Sequence, residues 1–363
     1  MTPVPAAPIR LALTMGDPAG IGPEIIVKAA QALLAKPPKV AVELVAVGSR
    51  AALETAARQL GLPEGRLPSN LAVQDVGPVA GAVVTGEMSA SAGEWSYLAI
   101  VEAVQRVQDG RSDAIVTAPL CKEALQMAGH HFEGHTELLA HLTGMRDGVM
   151  MLAHGGMRVS HVSTHCPLSE VPSRVTPVRL HRVLDVTLDA LKALGIAQPR
   201  IAVAGLNPHA GEGGILGRED GEVIAPVVKA YAAAGHAVTG PWAGDTVFIK
   251  LRAGQFDAVA AMFHDQGHIP VKLLGFSIDP ATGAWQSVSG VNVTLGLPIL
   301  RTSVDHGTAF DIAGRGIANA DSMVDAIAYA IELVHGRARA GASNINDAGH
   351  SAPRPAFQET STS

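Results

Sequence analysis

Apolar positions along the chain gather into short continuous runs, and the segments between them carry apolar residues at helical spacing. Residues 9–14, 40–47, 113–117, 201–204 and 257–262 form such runs, rich in Val, Ile, Leu and Ala. Continuous apolar runs of this length predict strands covered on both faces. Residues 24–34, 50–60, 88–109, 176–194, 222–234 and 322–335 repeat apolar positions at three- and four-residue steps and predict helices. The alternation of the two types predicts an α/β fold with a mostly parallel sheet flanked by helices. Residues 149–153 and 158–163 predict a hairpin turning at Gly155-Gly156, and 291–295 with 299–303 predict a further strand pair. Residues 63–82 read as an irregular connection with weak strand character at 71–73. Beyond Gly336 the chain is small, polar and without period, which predicts a disordered tail over 337–363.

Chemistry collects where the predicted strands end. The run 201–204 feeds the glycine-rich stretch from Leu206 to Gly217, which holds His209. Two further strand ends present a histidine in the same way, Ser163-Thr-His165 and Met262-Phe-His264-Asp265-Gln266. Parallel strands deliver their carboxyl ends to one edge of a sheet, so His165, His209 and His264 are candidates to converge. Three neutral imidazoles with an open fourth position make a catalytic divalent-metal site. Three unrelated loop histidines in a chain with 15 of them is the competing reading. Asp265 is read as an orienter of an imidazole or as the cap of the next helix.

A second set is cationic and polar: His135, Thr136, Asp245, Lys272, Asn292 and Arg301. Lys272 and Arg301 are flanked by apolar neighbours, and Arg suits a carboxylate or phosphate through bidentate bonds. An internal salt bridge is the alternative for each. Two loops complete the list. Gly16-Asp-Pro-Ala-Gly-Ile-Gly-Pro-Glu24 follows the first strand, lacks the phosphate-loop lysine pattern, and reads either as an anion cradle or as a strand–helix turn. His306 to Gly316 is a polar loop with glycines that expose backbone.

Composition narrows the class. At 363 residues the chain is long enough for one large or two medium domains. A formal charge of −6 argues against nucleic acid or an acidic membrane as the main partner. Two cysteines, Cys121 and Cys166, imply no disulfide framework and suit a reducing, cytoplasmic setting. The amino-terminal residues do not read as a secretory signal, and no apolar run is long enough to span a bilayer.

Taken together these segments resemble the 4-hydroxythreonine-4-phosphate dehydrogenase family of pyridoxine biosynthesis. The stretches that carry the resemblance are Gly16 to Glu24, Gly134-His-Thr-Glu137, Leu206 to Gly214, His264-Asp-Gln-Gly267, Gly290-Val-Asn-Val-Thr-Leu-Gly-Leu-Pro298 and Arg301-Thr-Ser-Val-Asp-His-Gly-Thr308. They run through nearly the whole chain. The loop 306–319 also looks like the nucleotide loop of isopropylmalate and isocitrate dehydrogenases. That similarity implies their two-domain fold, with the active site in the interdomain cleft.

The resemblance implies a first α/β domain, residues 1–125 plus 296–336, carrying the NAD loop, and a second, 126–295, with the metal ligands and the dimer interface. It implies His165, His209 and His264 as ligands of one divalent ion (Zn, Mg, Co or Mn), completed across a homodimer. It implies His135, Thr136, Asp245, Lys272, Asn292 and Arg301 as substrate residues, with Lys272 and Asp245 also catalytic. NAD would be held by His306, Gly307, Thr308, Asp311, Gly314 and Asn319. The implied reaction is oxidation and decarboxylation of a 4-phosphorylated 3-hydroxy acid to a phosphorylated ketone, CO2 and NADH.

The sequence departs from the pyridoxine enzymes in an added segment at about 277–289, in Cys121 before Lys122, and in His268-Ile269 after Gly267. These features look more like a sister branch acting on 4-phospho-D-threonate or 4-phospho-D-erythronate. The alternatives are a related dehydrogenase of an unphosphorylated hydroxy acid or dihydrodiol carboxylate, and a non-catalytic phosphosugar-binding protein.

Overall fold

The computed structural model describes residues 7–344 except 78, 133, 146, 147, 282 and 284. In chain order the strands are β1 (Ile9–Thr14), β2 (Val42–Gly48), β3 (Leu71–Asp75), β4 (Ala114–Thr117), β5 (Val149–His154), β6 (Met157–His161), β7 (Arg200–Ala204), β8 (Ala237–Trp242), β9 (Ala258–Ala261), β10 (Phe276–Ile278), β11 (Trp285–Val288), β12 (Val291–Leu295) and β13 (Arg301–Val304). Helices alternate with them, and the chain is α/β with mostly parallel strand pairing. Its described residues divide into two compact units, 7–148 with 273–335, and 149–272 with 336–344. Residues 126–148 and 273–295 therefore pack with the first unit.

In the first unit the strand order is β3-β2-β1-β4-β13-β12. All neighbours run parallel except β12 and β13, which pair antiparallel with Asn292 opposite Ser303 and Thr294 opposite Arg301. One core cluster joins the sheet residues Ala12, Val47 and Ile115 to Ala99, Ile100 and Ala103 of the helix Ala90–Gln108. Such all-round apolar strands follow from helices covering the sheet. The added segment 277–289 forms most of the antiparallel hairpin β10–β11, where Phe276 meets Trp285 edge to face at 5.9 Å.

In the second unit the order is β5-β6-β9-β7-β8. The β5–β6 hairpin is antiparallel; β6, β9, β7 and β8 are parallel. The carboxyl ends of β6, β9 and β7, which lead to His165, His264 and His209, therefore share one sheet edge on adjacent strands.

The apolar pattern located most elements to within a few residues and missed some. His264 opens the helix His264–Gly275 rather than a loop. β8 carries Gly240-Pro241 and so lacks a continuous apolar signature. The helices His135–Thr143 and Gly244–Arg252 lie in stretches to which the apolar pattern assigns no element. The closing helix runs Asp321–Asn344, beyond the predicted stop at Gly336. Gly336 does not end the helix; a Cβ there would collide with the carbonyl of Ala193. The rest of the predicted tail, 345–363, lies outside the described residues.

The loop after β1 is a strand–helix turn with its amides already used. Asp17 N–H donates to Pro119 O, Ala19 N–H to Asp17 Oδ1, Gly20 N–H to Asp17 O and Ile21 N–H to Thr308 O. Gly16 takes a φ of +68° and is pressed so closely on the Pro119 carbonyl that a side chain has no room. The loop is buried, and amides spent on internal bonds do not form an anion cradle. Asp17 is fully buried, and its Oδ2 has no hydrogen-bond partner among the described residues. Burial pushes its pKa up from 3.8 to about 6, against the pull of the Ala19 N–H.

The folded protein thus keeps this proton at pH values where the unfolded chain has released it. The stability it supplies is complete below about pH 4 and is lost as the pH rises through about 6. An Asp17→Asn variant keeps the acceptor for Ala19 without the charge. It is expected to exceed the wild type in stability by about 1–3 kcal/mol near neutral pH, with the gain shrinking in mild acid. Urea unfolding of both proteins at pH 4.5 and 7.5 checks this.

Candidate functional site

In the second unit, hydrogen bonds lace together the loops that follow β6, β9 and β7. Val162 N–H and Ser163 N–H donate to Ala261 O and Met262 O, and Ser163 Oγ donates to Met262 O at 2.7 Å. Gln266 accepts from Met262 N–H at 2.7 Å through Oε1 and donates from Nε2 to Gly205 O at 2.8 Å. It thereby ties the start of the His264 helix to the end of β7. The helix is seated by Val271, which packs into the cluster with Val259, Ala261 and Ala204. His264 sits on its first turn, half-buried, and its Nδ1–H donates to Asp265 Oδ1 at 2.7 Å. That bond puts the proton on Nδ1 and leaves the Nε2 lone pair for another partner. Of the two readings of Asp265, orienter and cap, this contact is the first.

His209 stands in an unusual backbone. From His209 to Gly213 every φ is positive, at 52°, 54°, 80°, 45° and 68°. Left-handed non-glycine residues cost of order 1 kcal/mol each and persist where surrounding structure holds them. The holder is Asp220, 1% exposed, whose carboxylate accepts from Leu206 N–H, Asn207 N–H and Asn207 Nδ2 at 2.8–3.1 Å. Gly205 and Gly211 let the chain close on it, since a Cβ at either would press on Ala210, Gly217 or Asp220 itself.

The rings of His165 and His264 lie 5.6 Å apart, so two of the three candidate ligands are neighbours. Among the described residues no three His, Cys, Asp or Glu side chains converge to hold a metal ion, and His209 is not gathered with that pair. The donor chemistry nevertheless suits a divalent ion: one imidazole has its Nδ1 engaged and its Nε2 bare, and a second stands beside it. Asp245, exposed, lies at the start of the helix Gly244–Arg252, and half-buried Lys272 lies two turns beyond His264 on its helix.

The first unit holds a different arrangement. Arg301 is 3% exposed, and its guanidinium bonds are to hydroxyls: Nε and Nη2 to Thr117 Oγ1 at 3.2 and 2.7 Å, and Nη1 to Thr294 Oγ1 at 2.9 Å. Among the described residues it has no carboxylate within ion-pair distance; Glu137 is the acid whose field reaches it. Burial brings its pKa down to about 9, so it stays charged at neutral pH. The internal salt bridge weighed for Arg301 is not what the structure contains.

Around it, two polar atoms are buried without hydrogen-bond partners among the described residues, His135 Nε2 and Asn292 Oδ1. Burial first, and the Arg301 charge second, hold His135 well below the usual imidazole pKa, so it is neutral. Asn292 shares a sheet face with Thr294, two residues along β12, opposite Ser303 and Arg301. Thr136 follows His135 in the first turn of its helix. A buried cation among hydroxyls and unfilled polar atoms is the chemistry of an anion pocket.

The loop 306–319 in the same unit is clamped from one side. Glu24, 2% exposed, accepts from Gly316 N–H at 3.2 Å and Ala318 N–H at 2.8 Å. Lys28 donates to Glu24 and to the carbonyls of Gly316 and Ala318 at 2.7–2.9 Å. His306, Thr308, Gly314 and Asn319 are half-buried, Gly307 and Asp311 exposed. Ala309 and Gly314 bend it with φ of 44° and 76°. Glu24, Lys28, Asp220 and Gln266 were not singled out as functional in the sequence. For Glu24 the available signal was an acid at a helix start directly after a glycine-rich turn.

Comparison with known proteins agrees across the chain. Residues 22–330 match the family model described as "Pyridoxal phosphate biosynthetic protein PdxA". A Bradyrhizobium diazoefficiens protein provisionally named D-threonate 4-phosphate dehydrogenase is 59% identical over 335 residues, covering 90% of this chain and 97% of that one. The D-threonate 4-phosphate dehydrogenase of Cupriavidus necator is 43% identical, covering 90% and 98%. A crystal structure of 4-hydroxythreonine-4-phosphate dehydrogenase from Klebsiella pneumoniae, 42% identical, superposes with a TM-score of 0.76, covering 91% and 99%. No described helix is long and apolar enough to cross a membrane. The chain belongs to the pyridoxal phosphate biosynthetic protein PdxA family, and it is an oxidoreductase acting on a CH–OH group.

Proposed function

We propose that the chain is an NAD- and divalent-metal-dependent dehydrogenase that oxidises and decarboxylates a 4-phosphorylated 3-hydroxy acid, with 4-phospho-D-threonate as the leading substrate. The observation that carries the reading is the buried Arg301 guanidinium with hydroxyl partners, His135 Nε2 and Asn292 Oδ1 nearby. A phosphate or carboxylate supplies the negative charge this pocket lacks. The choice of D-threonate phosphate rests on the relatives' names and on the added segment, which forms the hairpin β10–β11 beside Gly290.

In this reading His135, Thr136, Asn292 and Arg301 bind the substrate's anionic and polar groups, together with Asp245 and Lys272. His165, His209 and His264 would hold the metal, with Asp265 fixing the His264 tautomer. His306, Gly307, Thr308, Asp311, Gly314 and Asn319 would hold NAD, with Glu24 and Lys28 keeping the loop in shape. When bound, the metal lowers the pKa of the substrate hydroxyl and draws off charge during loss of CO2, and NAD accepts the hydride. Lys272 and Asp245 are the proton carriers: a lysine can return a proton to the carbon that loses CO2, and a carboxylate can take one from the hydroxyl.

The exposed apolar side chains support a homodimer. Ile215, beside the His209 loop, is 81% exposed, and Ile269 and Leu273 lie one turn apart on the His264 helix, Leu273 78% exposed. Apolar groups so placed fit a subunit interface that brings in a partner's ligand.

Assays with 4-phospho-D-threonate, 4-phospho-D-erythronate and 4-phospho-hydroxythreonine test the proposal. NADH formation is expected with at least one, abolished by a chelator and restored by a divalent ion; no NADH from any of them with metal present overturns it. Binding without turnover would instead favour a non-catalytic phosphosugar-binding protein. A Glu24→Gln variant, which loosens the clamp on the loop 316–318, is expected to raise the KM for NAD about 5- to 10-fold with little change in substrate KM, as for loss of one charge-assisted hydrogen bond. Steady-state kinetics with each substrate varied checks this.

A further inference from the structure

Four imidazole rings stand in one row in the second unit. Ring centroids are 5.6 Å apart from His165 to His264, 3.7 Å from His264 to His268, and 4.7 Å from His268 to His161. The first two belong to the proposed ligand set. The others have no role in the reaction as derived above.

The closest pair is also the flattest, with His264 and His268 stacked at 12° between planes. The stack follows from sequence spacing. Residues four apart on a helix share a face, so His264, His268 and Lys272 form one stripe along the helix His264–Gly275. His268 is 7% exposed, and its Nδ1–H donates to the His264 carbonyl at 2.9 Å. This ring is therefore held at both its edge and its face.

Behind it, His161 is fully buried and accepts no freedom either. It lies 3.3 Å through Nδ1 from Met150 O, and its Nε2 has no hydrogen-bond partner among the described residues. Gly267 makes its approach possible, because a Cβ at that position would collide with His161 Nε2. The sequence Gly267-His268 thus does two linked things: the glycine admits His161 beneath the helix, and the histidine lies between His161 and His264.

We infer that His268 is a positioning residue for His264, fixing its ring plane by stacking while Asp265 fixes its tautomer from the edge. Together they aim His264 Nε2 in one direction before any metal arrives. An imidazole held at only one edge still turns about χ2; one stacked face on a rigid, backbone-tied ring does not. The inference rests on the proposed metal role of His264.

Wild-type, His268→Ala and His268→Phe full-length proteins test it by two readouts. The first is the 1H–13C resonance of the His264 ring, assigned with a His264 variant. The second is the Co2+ dissociation constant, from competition with a chromophoric chelator. His268→Ala is expected to remove the ring-current shift of His264 and to raise the dissociation constant about 10- to 100-fold. His268→Phe, which keeps a flat face but no nitrogen, is expected to restore both toward wild type; a merely structural histidine would not be rescued in this way. An unmoved His264 resonance in His268→Ala, or a moved one with unchanged Co2+ affinity, overturns the inference. A wild type that binds no Co2+ defeats the metal reading instead, and the His264 resonance still decides whether His268 controls the ring.

Discussion

A positive charge buried, among the described residues, without a carboxylate in ion-pair contact is the constraint on which the first unit depends. A guanidinium taken out of water costs several kcal/mol unless an anion and a full set of acceptors surround it. Arg301 has acceptors, but they are the neutral hydroxyls of Thr117 and Thr294. The sheet makes this arrangement unavoidable. β13 lies between β4 and β12, the β12–β13 register sets Thr294 opposite Arg301, and β4 brings Thr117 alongside. Asn292 lies on that face, and neutral His135 lies within reach of the charge. In the proposed reading, an anionic substrate group is the component that would make the charge favourable.

The second unit answers a different problem, which is how to aim side chains that sit on loops. Three adjacent parallel strands end at one edge, and their loops are stitched by Ser163, Gln266 and Asp220 rather than left to solvent. Asp220 anchors Leu206 and Asn207 at the entry to the five left-handed residues of the His209 loop. Histidines on such supports have few orientations left, which is what preorganised binding requires.

Much of this was legible in the sequence, and the physical reasons separate what was from what was not. Continuous apolar runs marked β1, β2, β4, β7 and β9 because a strand covered on both faces leaves no room for polar positions. The run 201–204 and the glycines after it pointed to His209 correctly as a loop residue. β8 escaped because Gly240-Pro241 breaks the pattern, and the helix opening at His264 was anticipated only as the one that Asp265 would cap. The residues that frame the loops were harder. Glu24, Asp220 and Gln266 act through contacts with backbone far along the chain, such as Gln266 with Gly205, and spacing alone does not reveal a partner 61 positions away. Arg301 was visible as a charge in an apolar setting, but that its bonds among the described residues go to hydroxyls is a fact of three dimensions.

The measurement that tests the account most directly is the ratio of kcat/KM for a phosphorylated acid to that for its unphosphorylated counterpart, in wild type and in Arg301→Ala. If Arg301 binds the phosphate, the variant loses at least about 30-fold on the phosphorylated acid, as for truncation of one partner of a buried charge pair. Its activity on the unphosphorylated acid then changes little, so the ratio collapses. An equal loss on both acids, or no loss on either, would contradict an anion pocket built around Arg301.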